Sequence, residues 1–297
     1  MSETISEKGK GMQFEYLEPM TIEEAVSLLS RYGGDATPIA GGTDLMLKMR
    51  TEVISPKVLV DIGSIRELDY IEYNNSGGLA IGALTTIRSL ENSSDLQRTF
   101  PVISMAARQL GSVAIRNVAT IGGNICNAAP SAETAPGLIA LAATCKITGP
   151  GNERTVSLED FLVGPGMTIL REGELLKEIQ VPPLDPHARG VYLKHSPRGT
   201  IDLALVGVAV VATLDSDDGI FQDIKIALGA VAPTPIRAHR AEETLKGNRI
   251  TEALINETAE IAASEAHPIS DVRASAEYRA EMVKVFTRRA LKELIIK

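Results

Sequence analysis

The chain has 297 residues, of which 44% are hydrophobic and 23% are charged, a composition typical of a globular protein of about two domains. Its formal net charge is -8, which argues against a dedicated nucleic-acid-binding protein because phosphate contacts need a basic face. No apolar run approaches the roughly 20 residues that cross a bilayer. Residues 1–11 are polar, lack the apolar region of a signal peptide, and are predicted to form a disordered tail.

The metal-binding residue types are sparse. Cys126 and Cys145 have no CxxC spacing and cannot by themselves bind an iron–sulfur cluster, so any such cluster is expected on another chain. None of the four histidines lies at a metal-ligand spacing from a cysteine or carboxylate. We therefore predict no metal site, and a reducing, cytoplasmic compartment.

The first half of the chain alternates short strands and helices. Thr21 and Glu24 form a capping-box pair that predicts the start of a helix. The uninterrupted apolar run at residues 58–60 predicts a buried strand. Further strands are predicted at residues 36–40, 70–73 and 79–83, and further helices at 44–50 and 102–110. This order of elements indicates an α+β or α/β fold.

Prolines interrupt the chain near residue 183. Pro182, Pro183 and Pro186 cannot continue a strand ladder or a helix, so they mark a domain boundary. Beyond them, strands are predicted at residues 191–194, 203–214 and 224–231, followed by helices at 238–246, 252–266 and 275–295. Strands followed by helices predict an α+β domain with an antiparallel sheet covered by helices.

Two segments contain paired glycines that follow an apolar residue and precede a hydrogen-bonding side chain. The first contains Gly41, Gly42 and Thr43, and the second contains Gly122, Gly123 and Asn124. Paired glycines let backbone N–H groups approach a ligand and bind phosphate oxygens. A single Gly-Gly pair more often marks a tight turn, and neither segment fits the Rossmann or P-loop fingerprint. Two such segments in one half of the chain favour a dinucleotide cradle.

Three motifs in this order resemble the flavin subunits of the xanthine dehydrogenase and carbon monoxide dehydrogenase group, over residues 14 to 294. The motifs are Ala40-Gly41-Gly42-Thr43-Asp44-Leu45, Arg116-Asn117-Val118-Ala119-Thr120-Ile121-Gly122-Gly123-Asn124 running into Pro130, and Ser270-Asp271-Val272-Arg273-Ala274-Ser275-Ala276-Glu277-Tyr278-Arg279. The resemblance implies that the cofactor is FAD. It also implies an α+β fold, in which a vanillyl-alcohol-oxidase (PCMH)-type FAD-binding domain precedes a C-terminal α+β domain with a small antiparallel sheet and helices. We expect the FAD-binding domain at residues 12–183, with subdomains 12–66 and 67–183, and the C-terminal domain at 187–297.

The resemblance also assigns cofactor-binding residues. The first segment is expected to wrap the FAD pyrophosphate, with Thr43 donating to it, and Thr120, Gly123 and Asn124 are expected to form a second wall. Glu133 stands where the family more often has Asp and is expected to bond ribityl or ribose hydroxyls. Lys194 is expected near the isoalloxazine ring, where a cation stabilises negative charge on the reduced flavin. The remaining implied contacts are Ile39, Ala40, Gly41, Gly42, Asp44, Leu45, Leu110, Leu176 and Tyr192.

The implied function is electron transfer within a molybdenum hydroxylase complex. A large subunit with the molybdenum cofactor is expected to oxidise the substrate, and a small subunit with [2Fe–2S] clusters is expected to pass electrons to FAD here. The flavin would deliver them to NAD, a quinone or oxygen, and the assembly is expected to be a dimer of heterotrimers. We predict no general acid or base on this chain. Two alternatives stay open: a self-sufficient FAD-dependent reductase of the same fold, and a flavin-free nucleotide-binding assembly subunit.

Overall fold

The structure, a computed structural model, describes residues 13–74, 76–199, 201–215 and 219–296. The predicted tail at residues 1–11 lies outside these ranges. Within them, the chain forms three larger sheets in succession, which we call the N-terminal, middle and C-terminal sheets. Each sheet packs against its own helices around a separate hydrophobic cluster.

The N-terminal sheet is parallel, and its strands follow the order β1-β3-β2. These strands are β1 (Glu15–Leu17), β2 (Ala36–Ile39) and β3 (Val58–Asp61), and the helices of this part are α1 (Ile22–Tyr32) and α2 (Leu45–Arg50). The Thr21 hydroxyl accepts a hydrogen bond from the Glu24 N–H at 3.2 Å, which confirms the predicted helix start. Residues 58–60 are at most 4% exposed, as predicted for a buried strand.

The middle sheet is antiparallel and packs against a group of short helices. Its strands are β4 (Ile71–Asn74), β5 (Gly78–Gly82), β6 (Thr144–Gly149), β7 (Asn152–Ser157) and β10 (Leu175–Val181), in the order β4-β5-β10-β6-β7. A separate hairpin joins β8 (Leu162–Gly164) and β9 (Met167–Thr168). The helices are α3 (Ile87–Asn92), α4 (Ser94–Thr99), α5 (Pro101–Arg108), α6 (Val113–Val118), α7 (Ile121–Cys126), α8 (Thr134–Ala140) and α9 (Leu158–Phe161).

The C-terminal sheet is antiparallel and follows the proline-rich linker. Its strands are β11 (Ala188–His195), β12 (Val206–Asp215), β13 (Ile220–Gly229) and β14 (Ile236–Arg237), and its helices are α10 (His239–Leu245), α11 (Glu252–Glu265) and α12 (Ala276–Ile296). Val206, Val208 and Val210 pack against these helices, whereas Ala209 and Val211 belong to the hydrophobic cluster of the middle sheet. Burial on both faces explains the continuous apolar run of β12. The predicted α+β fold class is confirmed.

Candidate functional site

The first glycine segment connects β2 to α2. Ile39 accepts a hydrogen bond from the Ile62 N–H at 2.9 Å, and Gly42 then turns the backbone with a φ of 66°, a left-handed conformation that favours glycine. Gly41 is required for a different reason, because a Cβ there would lie 1.9 Å from the carbonyl oxygen of Val118. The segment is therefore pressed against the backbone that leads into the second glycine segment.

Consecutive backbone N–H groups of the first segment lack an acceptor among the described residues. Within the described ranges, no hydrogen bond is donated by the N–H groups of residues 41–45. The next N–H, that of Met46, donates to the Gly42 carbonyl at 2.9 Å and begins the bonding pattern of α2. Gly41, Gly42 and Thr43 are only half-buried, so a ligand has access to them. A row of unpaired N–H groups attracts an anion such as a phosphate.

The second glycine segment is the first turn of helix α7, not the turn or loop that paired glycines predict. The Thr120 hydroxyl caps this helix and accepts a hydrogen bond from the Gly123 N–H at 3.0 Å. Neither Gly122 nor Gly123 adopts a positive φ. Gly122 is required for packing, because a Cβ there would lie 2.6 Å from the Ala83 carbonyl oxygen. Tertiary packing, rather than backbone conformation, explains why position 122 is occupied by glycine.

The second segment offers a ligand an open backbone surface and a side-chain amide. Gly123 is exposed, and a Cβ there would meet only the Thr120 hydroxyl, at 3.0 Å. The Asn124 Oδ1 accepts a hydrogen bond from the Thr134 hydroxyl at 2.5 Å. This bond orients the Asn124 side chain, and no described residue accepts from its amide N–H₂. The donor that the second segment offers a ligand is thus a side-chain amide, whereas the first segment offers backbone N–H groups.

The two segments are linked at two points through residues that adjoin them. Gly41 packs against the peptide that joins Val118 to Ala119. In addition, Lys48 in α2 donates a hydrogen bond of 2.6 Å from its Nζ to the Oδ1 of Asn127, which caps the end of α7. The structure therefore brings together the two segments that the sequence predicts to hold one cofactor.

Glu133 and Lys194 form a buried ion pair beside these segments. The Lys194 Nζ lies 2.8 Å from the Glu133 carboxylate, and the two side chains are only 1% and 8% exposed. Lys194 also donates to the Gln109 carbonyl oxygen at 2.9 Å. The pair joins β11 of the C-terminal sheet to α8 of the middle part. Both residues are predicted cofactor contacts, and the structure adds that each is the other's partner.

Electrostatic interactions show how close the predicted residues lie to one another. Burial raises the pKa of Glu133, the charge of Lys194 partly offsets this effect, and the carboxylate of Asp44 in the first segment raises the pKa further. Burial also raises the pKa of Tyr192, and the charge of Glu133 adds to that increase. Asp44, Tyr192 and Lys194 therefore each lie close enough to Glu133 to interact with it electrostatically.

The predicted apolar contacts lie in the core beneath the second segment. Leu110 is 7% exposed and Leu176 is 3% exposed. Both belong to the same hydrophobic cluster as Tyr192 and as Ile121 and Ile125 of α7. Their packing role is visible in the structure, and their contact with a cofactor stays a prediction.

A second buried ion pair supports α6, and the sequence reasoning missed it. The Arg116 Nε lies 2.8 Å from the Glu91 carboxylate, and the two side chains are 8% and 9% exposed. Arg116 also donates from its Nη1 to the carbonyl oxygens of Leu110 and Gly111, each at 3.0 Å. These bonds fix the turn before α6, and hence the Val118 backbone on which the first segment packs. The position of Arg116 inside the second motif is the sequence signal that could have indicated this role.

Side chains that bind metals are dispersed. In the part of the chain that the structure describes, no group of three His, Cys, Asp or Glu residues is placed to hold a metal ion. Cys126 and Cys145 are free thiols, and burial raises the pKa of Cys126 to about 12. No described helix combines the length and the apolar composition that a membrane span requires.

Concave regions of the surface do not by themselves indicate the site. A groove of about 670 Å³ lies between α1 and the turn that joins β6 to β7. A cavity of about 270 Å³ lies beside the linker that contains Pro182 and Pro183. Neither region is lined by the glycine segments, Glu133 or Lys194.

Two sequence families match successive parts of the chain. Residues 12–184 match the FAD binding domain in molybdopterin dehydrogenase, and residues 191–294 match the CO dehydrogenase flavoprotein C-terminal domain. These matches agree with the fold class implied by the resemblance, a PCMH-type FAD-binding domain followed by an α+β domain, and with FAD as the cofactor.

Relatives of known name align along nearly the whole chain. The glyceraldehyde dehydrogenase medium chain of Sulfolobus acidocaldarius is 35% identical, over 95% of this chain and 98% of its own length. The xanthine dehydrogenase FAD-binding subunit of Escherichia coli O157:H7 is 32% identical, over 94% of this chain and 95% of its own. A solved chain of carbon monoxide dehydrogenase from Hydrogenophaga pseudoflava superposes with a TM-score of 0.90 at 36% identity, covering 94% of this chain and 96% of that one. This chain therefore belongs to the FAD-binding subunits of the molybdenum hydroxylases, a family of oxidoreductases.

Proposed function

We propose that this chain is the electron-transfer subunit of a molybdenum hydroxylase complex. A large subunit with the molybdenum cofactor oxidises the organic substrate, and a small subunit with [2Fe–2S] clusters passes the electrons to FAD on this chain. NAD, a quinone or oxygen then accepts them. Support comes from relatives that are named as a medium chain and as an FAD-binding subunit of dehydrogenases.

The observation that carries the proposal is the row of unpaired N–H groups at residues 41–45. Unpaired backbone donors are rare in folded proteins unless they face water or a ligand. A nest of such donors binds the pyrophosphate of a dinucleotide without any lysine or arginine. Bound FAD therefore explains why these donors have no acceptor among the described residues.

The proposed cofactor contacts follow from this placement. Residues 39–45 wrap the pyrophosphate, and the Thr43 hydroxyl is a further donor. The exposed backbone of Gly123, the Thr120 hydroxyl and the Asn124 amide form the facing wall, which suits ribityl or phosphate oxygens. Leu110, Leu176 and Tyr192 supply apolar contacts to the rings.

Glu133 and Lys194 complete the proposed site at its buried end. The Glu133 carboxylate accepts hydrogen bonds from ribityl or ribose hydroxyls, while its ion pair with Lys194 holds it in place. The positive charge of Lys194 favours negative charge on the reduced ring system. When FAD is bound it supplies the redox chemistry, and the chain positions it, sets its potential and controls access to it. We assign no general acid or base.

We further propose that the complex is a dimer of heterotrimers in the cytoplasm. Both statements rest on the family resemblance. The composition is compatible with them, because the two free cysteines suit a reducing compartment.

Two other functions are kept as alternatives. A self-sufficient FAD-dependent reductase would need its own substrate site, whereas residues 191–294 match a domain that is named after the CO dehydrogenase flavoprotein. A flavin-free nucleotide-binding assembly subunit would use the unpaired N–H groups at residues 41–45 for a nucleotide phosphate, so these groups do not separate it from the electron-transfer subunit. The match of residues 12–184 to an FAD binding domain favours the electron-transfer subunit.

The proposal is tested by purifying the full chain alone and together with its co-expressed partner subunits. We expect flavin absorption bands, and we expect the released cofactor to be FAD rather than FMN. Reduction of the flavin on addition of substrate to the complex, but not to the isolated chain, would support electron transfer from a partner. Substrate turnover by the isolated chain would favour the reductase, and a complex that contains no FAD would contradict the proposal.

A further inference from the structure

Lys48 is a cation whose side chain crosses from α2 to the end of α7. It lies in the last turn of α2, one helical turn after Asp44, and its backbone N–H donates to the Asp44 carbonyl at 3.0 Å. Its side chain is half-buried and extends to the other segment, where Nζ donates to the Asn127 Oδ1 at 2.6 Å. These residues are 79 positions apart in the chain. The ammonium group is therefore held at the seam between the segments.

Lys48 forms no ion pair with a carboxylate in the part of the chain that the structure describes. Within the described ranges, no Asp or Glu oxygen lies within ion-pair distance of its Nζ. Its one observed side-chain partner, the Asn127 amide oxygen, is neutral and occupies one of three N–H donors. The other two donors can therefore bind an anion.

We propose that Lys48 supplies the positive charge of the FAD pyrophosphate site, and that its bond to Asn127 holds the ammonium group in position. This inference rests on the proposed function and adds a residue to it. The unpaired N–H groups of residues 41–45 bind phosphate oxygens as neutral dipoles. Lys48 adds a full charge at the seam between the segments, which strengthens the binding of a pyrophosphate because that group carries more than one negative charge.

A structural role and an electrostatic role predict different results. If the Lys48–Asn127 bond only fastened the two segments together, a stronger bond at the same place would preserve FAD binding. If the charge of Lys48 is used by the pyrophosphate, a carboxylate at position 127 would neutralise it and weaken FAD binding. Asn127→Asp is nearly isosteric and separates these cases.

The experiment measures the FAD dissociation constant of the FAD-depleted full chain by fluorescence titration at low and high ionic strength. If the isolated chain does not bind FAD, the complex with its partner subunits is used. Lys48→Met is expected to weaken binding roughly 10- to 100-fold at low ionic strength, as for a lost charge-assisted hydrogen bond. Its dissociation constant is expected to depend less on salt than that of the wild type, because screening acts on the charge that was removed.

Three further variants complete the test. Lys48→Arg keeps the charge and is expected to bind FAD within about threefold of the wild type. Asn127→Asp is expected to weaken FAD binding although the protein stays folded. Lys57→Met is the matched control, because Lys57 lies in the same part of the chain and its side chain is 74% exposed in an ion pair with Asp35.

The outcomes separate this inference from the proposed function. If the wild type binds no FAD in any form, the proposed function fails. If the wild type binds FAD but Lys48→Met binds it as tightly as Lys57→Met, only the role of Lys48 is wrong. Unchanged FAD binding by Asn127→Asp, or an unchanged salt dependence in Lys48→Met, would also overturn the electrostatic role.

Discussion

The Lys194 ammonium group of β11 lies 2.8 Å from the Glu133 carboxylate at the start of α8, and both side chains are buried. This ion pair joins the C-terminal sheet to the part of the chain that carries the glycine segments. Lys194 reaches the Gln109 carbonyl as well, so one side chain holds the ends of two helices. Lys194, the cation proposed to lie near the flavin ring, is thus also a structural contact between the two halves of the chain.

Removing the cation of this pair is expected to destabilise the folded chain strongly. Lys194→Met leaves the Glu133 carboxylate buried without its partner, which typically costs about 3–5 kcal/mol. The expected result is a marked fall in the urea midpoint of the FAD-free chain.

Two controls accompany the Lys194 variant. Lys225→Met removes a lysine of β13 whose side chain is 27% exposed, and it is expected to change the midpoint little. Adding Glu133→Gln to Lys194→Met is expected to restore part of the loss, because no buried charge is then left unpaired. If Lys194→Met behaves like Lys225→Met, the pair is not important for stability.

Removing the cation of the ion pair between Arg116 and Glu91 is expected to destabilise the folded chain in a similar way. Arg116→Met leaves Glu91 with its more exposed partner Arg88 and leaves the carbonyl oxygens of the preceding turn without a donor. We expect a loss of about 3 kcal/mol in unfolding free energy, together with weaker FAD binding because α6 supports the contact with Gly41. Arg98→Met removes an arginine whose side chain is 75% exposed, so it serves as the control and should change neither quantity measurably.

Local sequence signals predicted most of the secondary structure. The Thr21 and Glu24 pair predicted the start of α1, and the apolar run at residues 58–60 predicted β3, because both signals depend on neighbouring residues. The prolines near residue 183 predicted a break, and the linker between β10 and β11 lies there. The boundaries of the predicted domains stay predictions.

Contacts between distant residues had no such signal. Paired glycines such as 122 and 123 more often mark a turn, yet these lie in α7, which the Thr120 hydroxyl caps and which the Gly122 N–H joins to the Ala83 carbonyl at 2.8 Å. The bond from Lys48 to Asn127 and the pair of Lys194 with Glu133 join residues 79 and 61 positions apart. No local pattern encodes these pairs. The family resemblance predicted individual residues of the proposed site, and the structure shows which of them contact one another.

The ion pairs of the Glu91 carboxylate lead to a specific prediction for the stability of the chain in acid. Burial raises its pKa, but hydrogen bonds and charge from Arg88 and Arg116 outweigh burial and hold the pKa below its ordinary value of 4.5. The folded chain then binds this proton less readily than the unfolded chain. The stabilisation is therefore present above the ordinary pKa and is lost as the pH falls below it.

Glu91→Gln is expected to flatten the decline of unfolding free energy between about pH 5 and pH 3, although it lowers stability at neutral pH. The measurement is a set of urea unfolding curves across this range. Asp95→Asn, which removes a carboxylate whose side chain is 58% exposed, is the control. An equally steep decline in Glu91→Gln and in the wild type would show that Glu91 does not determine the acid sensitivity.

The contact of Gly41 with Val118 predicts that the two glycine segments tolerate no side chain between them. A Cβ at position 41 would lie 1.9 Å from the Val118 carbonyl oxygen, so Gly41→Ala must force the segments apart. Overpacking of this kind costs typically about 1–3 kcal/mol. Because the displaced backbone carries the unpaired N–H groups, we expect Gly41→Ala to weaken FAD binding more than folding. The dissociation constant for FAD is expected to rise by about tenfold or more.

Gly164→Ala is the matched control for Gly41→Ala. Neither glycine has a positive φ, so alanine brings no backbone strain at either position, and a Cβ at position 164 would meet only Met167, at 3.7 Å. The readout is the increase in melting temperature that one fixed FAD concentration produces in each variant, since a ligand stabilises only the form that binds it. We expect a normal increase for Gly164→Ala and a clearly smaller increase for Gly41→Ala. A full increase for Gly41→Ala would mean that the segments can separate without losing the cofactor, and that the contact between them does not define the site.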